Sequence, residues 1–104
     1  MEDKRNVDNF SNEELEALRE AMRAVDEDMV ALFDKRLALS REIAQVKMKS
    51  NIPIYDADRE EKNVEELSAL IEKAADRPLF AKWYRLMMKI SKTVQRGLSR
   101  GKDA

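Results

Sequence analysis

The stretch that decides the fold is LREAMRAVDEDMVALFDKRLALSREIAQV, residues 18–46. Positions spaced alternately four and three residues apart form one stripe along it, here called the heptad stripe. Its members are Leu18, Met22, Val25, Met29, Leu32, Arg36, Leu39, Ile43 and Val46. This repeat predicts a long helix that packs along its length against partner helices. Arg36 is the one charged member, and a charge in an apolar stripe is costly unless an anion pairs with it. The identity of that anion is therefore the main question about function.

The composition of the chain favours an all-α protein and excludes several functions. The 104 residues suit one domain and include only two Gly and two Pro, with 39% charged residues. Without Cys or His there is no disulfide, no typical zinc site and no His-based catalytic triad. The net charge of −1 gives no electrostatic footprint for nucleic acid. No apolar run approaches the ~20 residues of a membrane span, and residues 1–14 lack the apolar core of a secretory signal. We expect a cytoplasmic protein.

The length of the first helix predicts a homodimer. Residues 1–10 are polar and aperiodic and are expected to be a flexible tail, with Ser11 as helix N-cap. No Gly or Pro follows until Pro53, so the helix should run from about residue 12 to about residue 50, roughly 58 Å. A compact domain of this size has a radius of gyration of only about 13 Å. Because two later helices cannot cover so long an apolar stripe, we expect two copies to pack together.

Two shorter helices should complete a helical domain over residues 11–98. Asp56 is the expected N-cap of the second helix, which should run to about Ala74. The third should start with Pro78 and stop near Gly97, with residues 99–104 as a flexible tail. The expected inward residues are Val64, Leu67 and Ile71 on the second helix and Phe80, Trp83, Met87, Ile90 and Val94 on the third.

Several polar residues beside these stripes are candidates for binding an anion. Arg36 and Lys47 point the same way about 16 Å apart along the helix, so one small dianion could touch both. Alternatively, Arg36 is structural and pairs with a Glu on a neighbouring helix. Arg19 lies roughly 25 Å before Arg36, too far to share its ligand within one chain. An antiparallel dimer could bring the two together, or Arg19 is a surface residue.

The start of the second helix and one face of the third add further candidates. Asp56 can simply be a cap, but Arg59 is a cation at a helix N-terminus, where an anion is needed to compensate. Glu60 lies at the end of the apolar face of that helix. Ser91 and Gln95 form an i, i+4 polar pair beside the stripe of the third helix.

Together these residues resemble the all-helical chorismate mutases over about residues 13–98. The matching pieces are LREAMRAVDEDMVALFDKR (18–36), IAQVK (43–47), IPIYDADRE (52–60) and ISKTVQ (90–95). The resemblance implies an intertwined homodimer of three-helix chains, which converts chorismate to prephenate by a Claisen rearrangement on the way to phenylalanine and tyrosine. Such a rearrangement needs no metal and no other cofactor.

The resemblance also implies a role for each candidate residue. Arg36 and Arg59 would belong to the site, with Arg36 on one substrate carboxylate, and Arg19 of the other subunit would bind the second carboxylate. Lys47 and Gln95 would flank the ether oxygen whose bond breaks. The remaining roles fall to Asp56 and Glu60 at the ring hydroxyl and to Ser91 near a carboxylate. An apolar residue is expected at position 92, where this chain has Lys92.

Two other functions stay open at this point. An isochorismate pyruvate lyase shares the fold and the cationic pocket, although lyases of that kind lack the Asp-x-x-Arg-Glu pattern found at Asp56–Glu60. A non-catalytic helical dimer or adaptor would explain the heptad stripe but not the charged residues within apolar faces. A complex with a larger enzyme of aromatic biosynthesis, which would supply feedback control, is a further possibility.

Overall fold

The computed structural model describes the backbone of residues 4–103 and the side chains of residues 11–98. The described residues form three α-helices and a short 3₁₀ turn, with no strand among them. The helices are α1 (Lys4–Lys49), α2 (Ala57–Ser68) and α3 (Arg77–Asp103), and the 3₁₀ turn is Ala74–Asp76. The prediction of an all-α chain with one very long helix and two shorter ones is confirmed. No helix of the described region is both long and apolar enough to cross a membrane.

Three predicted helix ends are wrong: the start of the first helix and the ends of the second and the third. The first helix starts at Lys4, so Ser11 lies inside it and is not its N-cap. No Gly or Pro interrupts this region, and each residue added to an existing helix gains a hydrogen bond. Gly97 likewise lies inside α3 without the positive φ of a helix cap. The flexibility predicted for residues 1–10 and 99–104 stays a prediction, and residues 1–3 and 104 lie outside the described backbone.

The second helix is also shorter than predicted, ending at Ser68 and not near Ala74. The amides of Leu70 and Ile71 donate to carbonyls three residues back, which tightens the chain into turns. Arg77 Nε then donates to the Ile71 carbonyl oxygen at 3.0 Å, which satisfies an acceptor in the connection to α3. Pro78 follows as the second residue of α3, one position later than predicted.

The chain divides into two units, residues 1–35 and residues 36–104. In the first unit, every described side chain is exposed, over residues 11–35. The five stripe residues between Leu18 and Leu32 are 47–67% exposed. No described side chain of this unit covers them.

The core lies in the second unit, on a face of α1 different from the heptad stripe. It consists of Ala44, Val64, Met87 and Met88, with the polar Ser40, Ser91 and Gln95 also buried. Gln95 Nε2, on α3, donates to the Ser40 carbonyl of α1 at 3.0 Å and so links the two helices. Of the inward residues predicted on α3, Met87 is buried but Trp83 is exposed.

A tight corner joins α1 to α2. Asn51 adopts a left-handed conformation with φ of 55°. The amide of Ile52 donates to the Lys47 carbonyl and the amide of Asn51 to that of Met48, which is the Schellman pattern of a helix C-terminus. Pro53 follows and prevents the helix from resuming. The chain thereby turns back so that Ile52 and Ile54 face the same cleft as Lys47.

The predicted N-cap of α2 is confirmed. Asp56 has extended backbone angles, and its Oδ1 accepts a hydrogen bond from the Arg59 backbone amide at 3.1 Å. This satisfies one of the amides that a helix start leaves without a partner. The cap therefore fixes the direction in which α2 leaves the corner.

Candidate active site

An open cleft of about 600 Å³ lies in the second unit, bounded by α1, the corner, α2 and α3. Its walls include apolar side chains from α1 and the corner, such as Ile43, Val46 and Ile54. Seven of the eight residues predicted for the site line it: Arg36, Lys47, Asp56, Arg59, Glu60, Ser91 and Gln95. The eighth, Arg19, belongs to the other unit, where its Nη1 pairs with Glu16 at 2.8 Å on an exposed helix surface.

Arg36 contacts hydroxyl groups where a structural arginine would meet a carboxylate. Its Nη1 donates to Ser91 Oγ, and its Nη2 donates to Tyr84 Oη at 3.4 Å. The guanidinium carbon also lies 5.5 Å from the centroid of the Tyr84 ring. Among the described residues, no carboxylate forms an ion pair with Arg36. The interpretation as an internal Arg–Glu pair is therefore wrong for this part of the chain, and the guanidinium is positioned without being neutralised.

Lys47 and Gln95 are each held by one backbone carbonyl. Lys47 Nζ donates to Ile54 O at 3.0 Å, and Gln95 Nε2 donates to Ser40 O at 3.0 Å. An ammonium group has three N–H bonds and an amide nitrogen has two. Each side chain thus keeps at least one donor for a ligand in the cleft, while its own position is fixed.

Arg59 and Asp56 lie at the mouth of the cleft on the first turn of α2. The Asp56 carboxylate accepts a hydrogen bond from the Arg59 backbone amide. The side chain of Arg59 is exposed and also lines the cleft. A cation at a helix N-terminus is unfavourable, so an anion bound here would relieve that repulsion.

Glu60 does not stand alone in the cleft wall. Its Oε1 pairs with Lys92 Nζ at 3.1 Å. The same ammonium lies 4.4 Å from the centroid of the Tyr55 ring. The residue that departs from the expected apolar type at position 92 is therefore part of the site's electrostatics.

Sequence reasoning missed Tyr84, although the pattern contained a signal for it. The cleft face of α3 carries Tyr84, Met88, Ser91 and Gln95 at spacings of four, three and four. Extending the Ser91–Gln95 pair backwards by helical spacing would have reached Tyr84. Its ring also stacks on Phe80, with centroids 5.7 Å apart, which holds the phenol beside Arg36.

The cleft is suited to binding a small anion. Three cations, Arg36, Lys47 and Arg59, line it without an ion pair to any described carboxylate. Within the described region there is no cluster of acidic residues that could hold a metal ion. Positioned charge around a partly apolar cavity can bind, orient and stabilise a substrate whose own atoms do the chemistry.

The region that contains this cleft matches a known protein family. The model of the family chorismate mutase type II matches residues 18–96, which is more than half of the chain. The chain belongs to this family. The resemblance seen in the sequence is thereby confirmed, as is the helical fold that it implied.

Curated relatives of this chorismate mutase family member are larger proteins. The chain is 40% identical over 60 residues to the bifunctional chorismate mutase/prephenate dehydratase of Escherichia coli K12, covering 58% of this chain and 16% of that protein. It is 34% identical over 58 residues to the protein of the same name from Aquifex aeolicus, covering 56% of this chain and 16% of the relative. The matched region is thus a small part of those relatives. No solved structure matches the chain.

Proposed function

We propose that the protein is a chorismate mutase that rearranges chorismate to prephenate in phenylalanine and tyrosine biosynthesis. The observation that carries the proposal is Arg36, a positioned guanidinium in the cleft that meets hydroxyls and no carboxylate among the described residues. A substrate with two carboxylates supplies the missing anion. Family membership over residues 18–96 gives independent support.

The first task of such an enzyme is conformational restraint. In chorismate the enolpyruvyl side chain must fold over the ring before its terminal carbon can bond to the ring while the ether C–O bond breaks. Arg36 binds one carboxylate, with Ser91 keeping the guanidinium in place. Fixing both ends of the flexible substrate in this geometry lowers the entropic part of the barrier.

The second task is to stabilise negative charge at the ether oxygen as its bond to carbon lengthens. Lys47 and Gln95 are assigned to this oxygen, each already held by a backbone carbonyl. Because both donors are positioned beforehand, little reorganisation is needed when the charge develops. Asp56 and Glu60 are assigned to the ring hydroxyl, and Arg59 adds positive charge at the mouth of the cleft.

The working unit that we propose is a homodimer in which Arg19 of one chain completes the cleft of the other. The support is the stripe between Leu18 and Leu32, whose five apolar members are 47–67% exposed. Contiguous apolar surface of this extent marks an interface. Arg19 itself is exposed, and among the described residues it pairs with Glu16 on the same helix surface, from which its guanidinium can extend to a substrate carboxylate in the cleft of a second chain.

The proposal includes a cytoplasmic location. It also allows for a larger enzyme of the pathway as a partner. The curated relatives carry a chorismate mutase joined to a prephenate dehydratase in one chain. By analogy, this chain would bind a separate enzyme that uses prephenate.

The deciding experiment incubates purified protein with chorismate and follows loss of chorismate absorbance and formation of prephenate. We expect prephenate as the product. A parallel incubation with isochorismate tests the lyase; pyruvate from isochorismate without prephenate from chorismate would overturn the proposal.

Arg36→Ala separates an enzyme from a non-catalytic helical dimer. For a mutase we expect a loss of roughly 10²–10³-fold in kcat/KM, because the guanidinium that holds one carboxylate and restrains the folded substrate has been removed. The helical circular dichroism signal and the dimer should remain. An adaptor would keep its dimer but show no prephenate formation in either form.

A further inference from the structure

The pair formed by Lys92 and Glu60 lies between two hollows of the second unit. Both residues line the cleft and also a second hollow of about 570 Å³ between α2 and α3. The two side chains are only 20% and 24% exposed, with 3.1 Å between Nζ and Oε1. Nothing in the proposed reaction so far uses Lys92.

We propose that Lys92 is a positioning residue, which holds the Glu60 carboxylate in the cleft as an acceptor for the ring hydroxyl of the substrate. This inference rests on the proposed mutase function and deepens it. An ionised carboxylate can only accept hydrogen bonds, so a Glu60 fixed beside an ammonium selects a substrate that offers a donor at this place. Lys92 acts through Glu60 and does not itself touch the substrate.

The surroundings of the ammonium make this pair stronger than an ordinary surface ion pair. The Tyr55 ring lies 4.4 Å from Nζ and replaces water on one side of the charge. With both partners mostly shielded from solvent, their attraction is screened less than that of exposed pairs. Lys92 is therefore held from two directions, by Glu60 and by Tyr55.

The second hollow explains why Glu60 needs to be held. Its lining includes three further cations, Arg85, Lys89 and Arg96. Arg85 is engaged by Glu61, with 3.0 Å between Nη2 and Oε1, whereas Lys89 and Arg96 form no ion pair with a described residue. Without Lys92, the Glu60 carboxylate would be free to turn between the cations of this hollow and those of the cleft, and it would no longer be fixed beside the ring hydroxyl.

The test uses Lys92→Met, which keeps the length of the side chain but removes its charge, with Lys92→Arg as the conservative variant. Lys89→Met is the matched control, because Lys89 is an exposed lysine one turn away that lines only the second hollow. Each protein is assayed for kcat and KM with chorismate and with the analogue that carries hydrogen in place of the ring hydroxyl. Thermal unfolding checks that all variants fold.

We expect Lys92→Met to lose about tenfold in kcat/KM with chorismate, since truncating one partner of a shielded charge pair releases the other. With the analogue the loss should be within about twofold, because no hydroxyl is left for Glu60 to bind. Lys92→Arg should recover most of the activity, and Lys89→Met should match the wild type with both substrates. Tyr55→Leu should resemble a mild form of Lys92→Met, whereas Tyr55→Phe keeps the ring and the activity.

Equal losses of Lys92→Met with both substrates would overturn the inference, because they would indicate a general structural role. Activity of Lys92→Met equal to that of Lys89→Met would overturn it too. Failure of the mutase proposal is a distinct result, namely a wild-type protein that forms no prephenate.

Discussion

The Gln95 amide combines burial with a free donor, which is unusual for a polar side chain in a small core. The residue is 7% exposed, and one N–H of its Nε2 is taken by the Ser40 carbonyl. A neutral amide donates whatever the pH. We therefore expect the proposed mutase activity to vary little between mildly acidic and neutral pH; a steep loss of turnover from pH 5 to 8 would contradict the role given to Gln95.

Gln95→Glu should convert this flat profile into one that depends on pH. A carboxylate cannot donate to the ether oxygen and is repelled by the Ser40 carbonyl, so we expect at least a ~100-fold loss of kcat at neutral pH. The carboxyl group donates only when protonated, and its protonated fraction rises as the pH falls towards the ordinary Glu pKa of about 4.3. Activity of the variant should accordingly increase with falling pH. Profiles of kcat between pH 5 and 8 for both proteins test this, and parallel profiles would contradict it.

At the scale of elements, the corner between α1 and α2 does two things at once. Asn51 in the left-handed conformation ends α1, and the segment after it brings the Ile54 carbonyl to 3.0 Å from Lys47 Nζ. The Asp56 cap then starts α2 with its first turn at the cleft. The position of Lys47 thus depends on backbone geometry that a few residues determine.

Asn51→Val should destabilise the fold by about 1–2 kcal/mol, because a β-branched side chain clashes with the backbone in this conformation. Asn51→Gly is the matched control, since Gly adopts the same angles without strain and should be as stable as the wild type or slightly more so. Urea unfolding at one fixed protein concentration measures both, as the concentration affects the stability of an oligomer. Equal midpoints for the Val variant and the wild type would show that the corner does not need this conformation.

The sequence predicts this fold well where side chains alone decide the structure. Helix number follows from periodicity, and the Asp56 cap follows from a side chain that bonds to a nearby amide. The errors at Lys4 and Ser68 occur where no Pro or Gly marks the end, whereas α3 continues past Gly97, which was expected to end it. There the end depends on a balance of backbone hydrogen bonds and packing, which residue type does not reveal.

In the candidate site, too, residues marked by their own type can be predicted from the sequence, whereas contacts made by packing cannot. Charges such as Arg36 and Glu60 stand out because they interrupt apolar faces, so the sequence offers them as site candidates, and both line the cleft. Tyr84 and the pairing of Lys92 with Glu60 depend on how α3 faces α1 and α2. Side chains brought together only by tertiary packing leave a weak trace in a single sequence.

At the scale of the whole molecule, most of the heptad stripe is left exposed by its own chain. In the second unit α1 packs through Ser40 and Ala44, and the stripe residues Leu39, Ile43 and Val46 stay exposed. Burial of apolar surface yields about 25 cal/mol per Å², so in the proposed homodimer the part of the stripe from Leu18 to Leu32 would supply much of the stability. In a two-fold interface the same surface of both chains is used, so a contact that one chain makes with its partner is repeated by the partner.

Mixing two inactive variants tests whether Arg19 completes the cleft of the other chain. Arg19→Ala and Gln95→Ala should each be nearly inactive as homodimers. In a mixed dimer one cleft receives both changes and the other receives none, so equal amounts refolded together should recover about a quarter of wild-type activity. The control is Gln95→Ala mixed with Arg36→Ala: these two residues line one cleft within a chain, so both clefts stay defective and no activity should return. Prephenate formation before and after mixing measures the outcome. If the first mixture stays inactive while size-exclusion chromatography shows mixed dimers, Arg19 does not act across the interface.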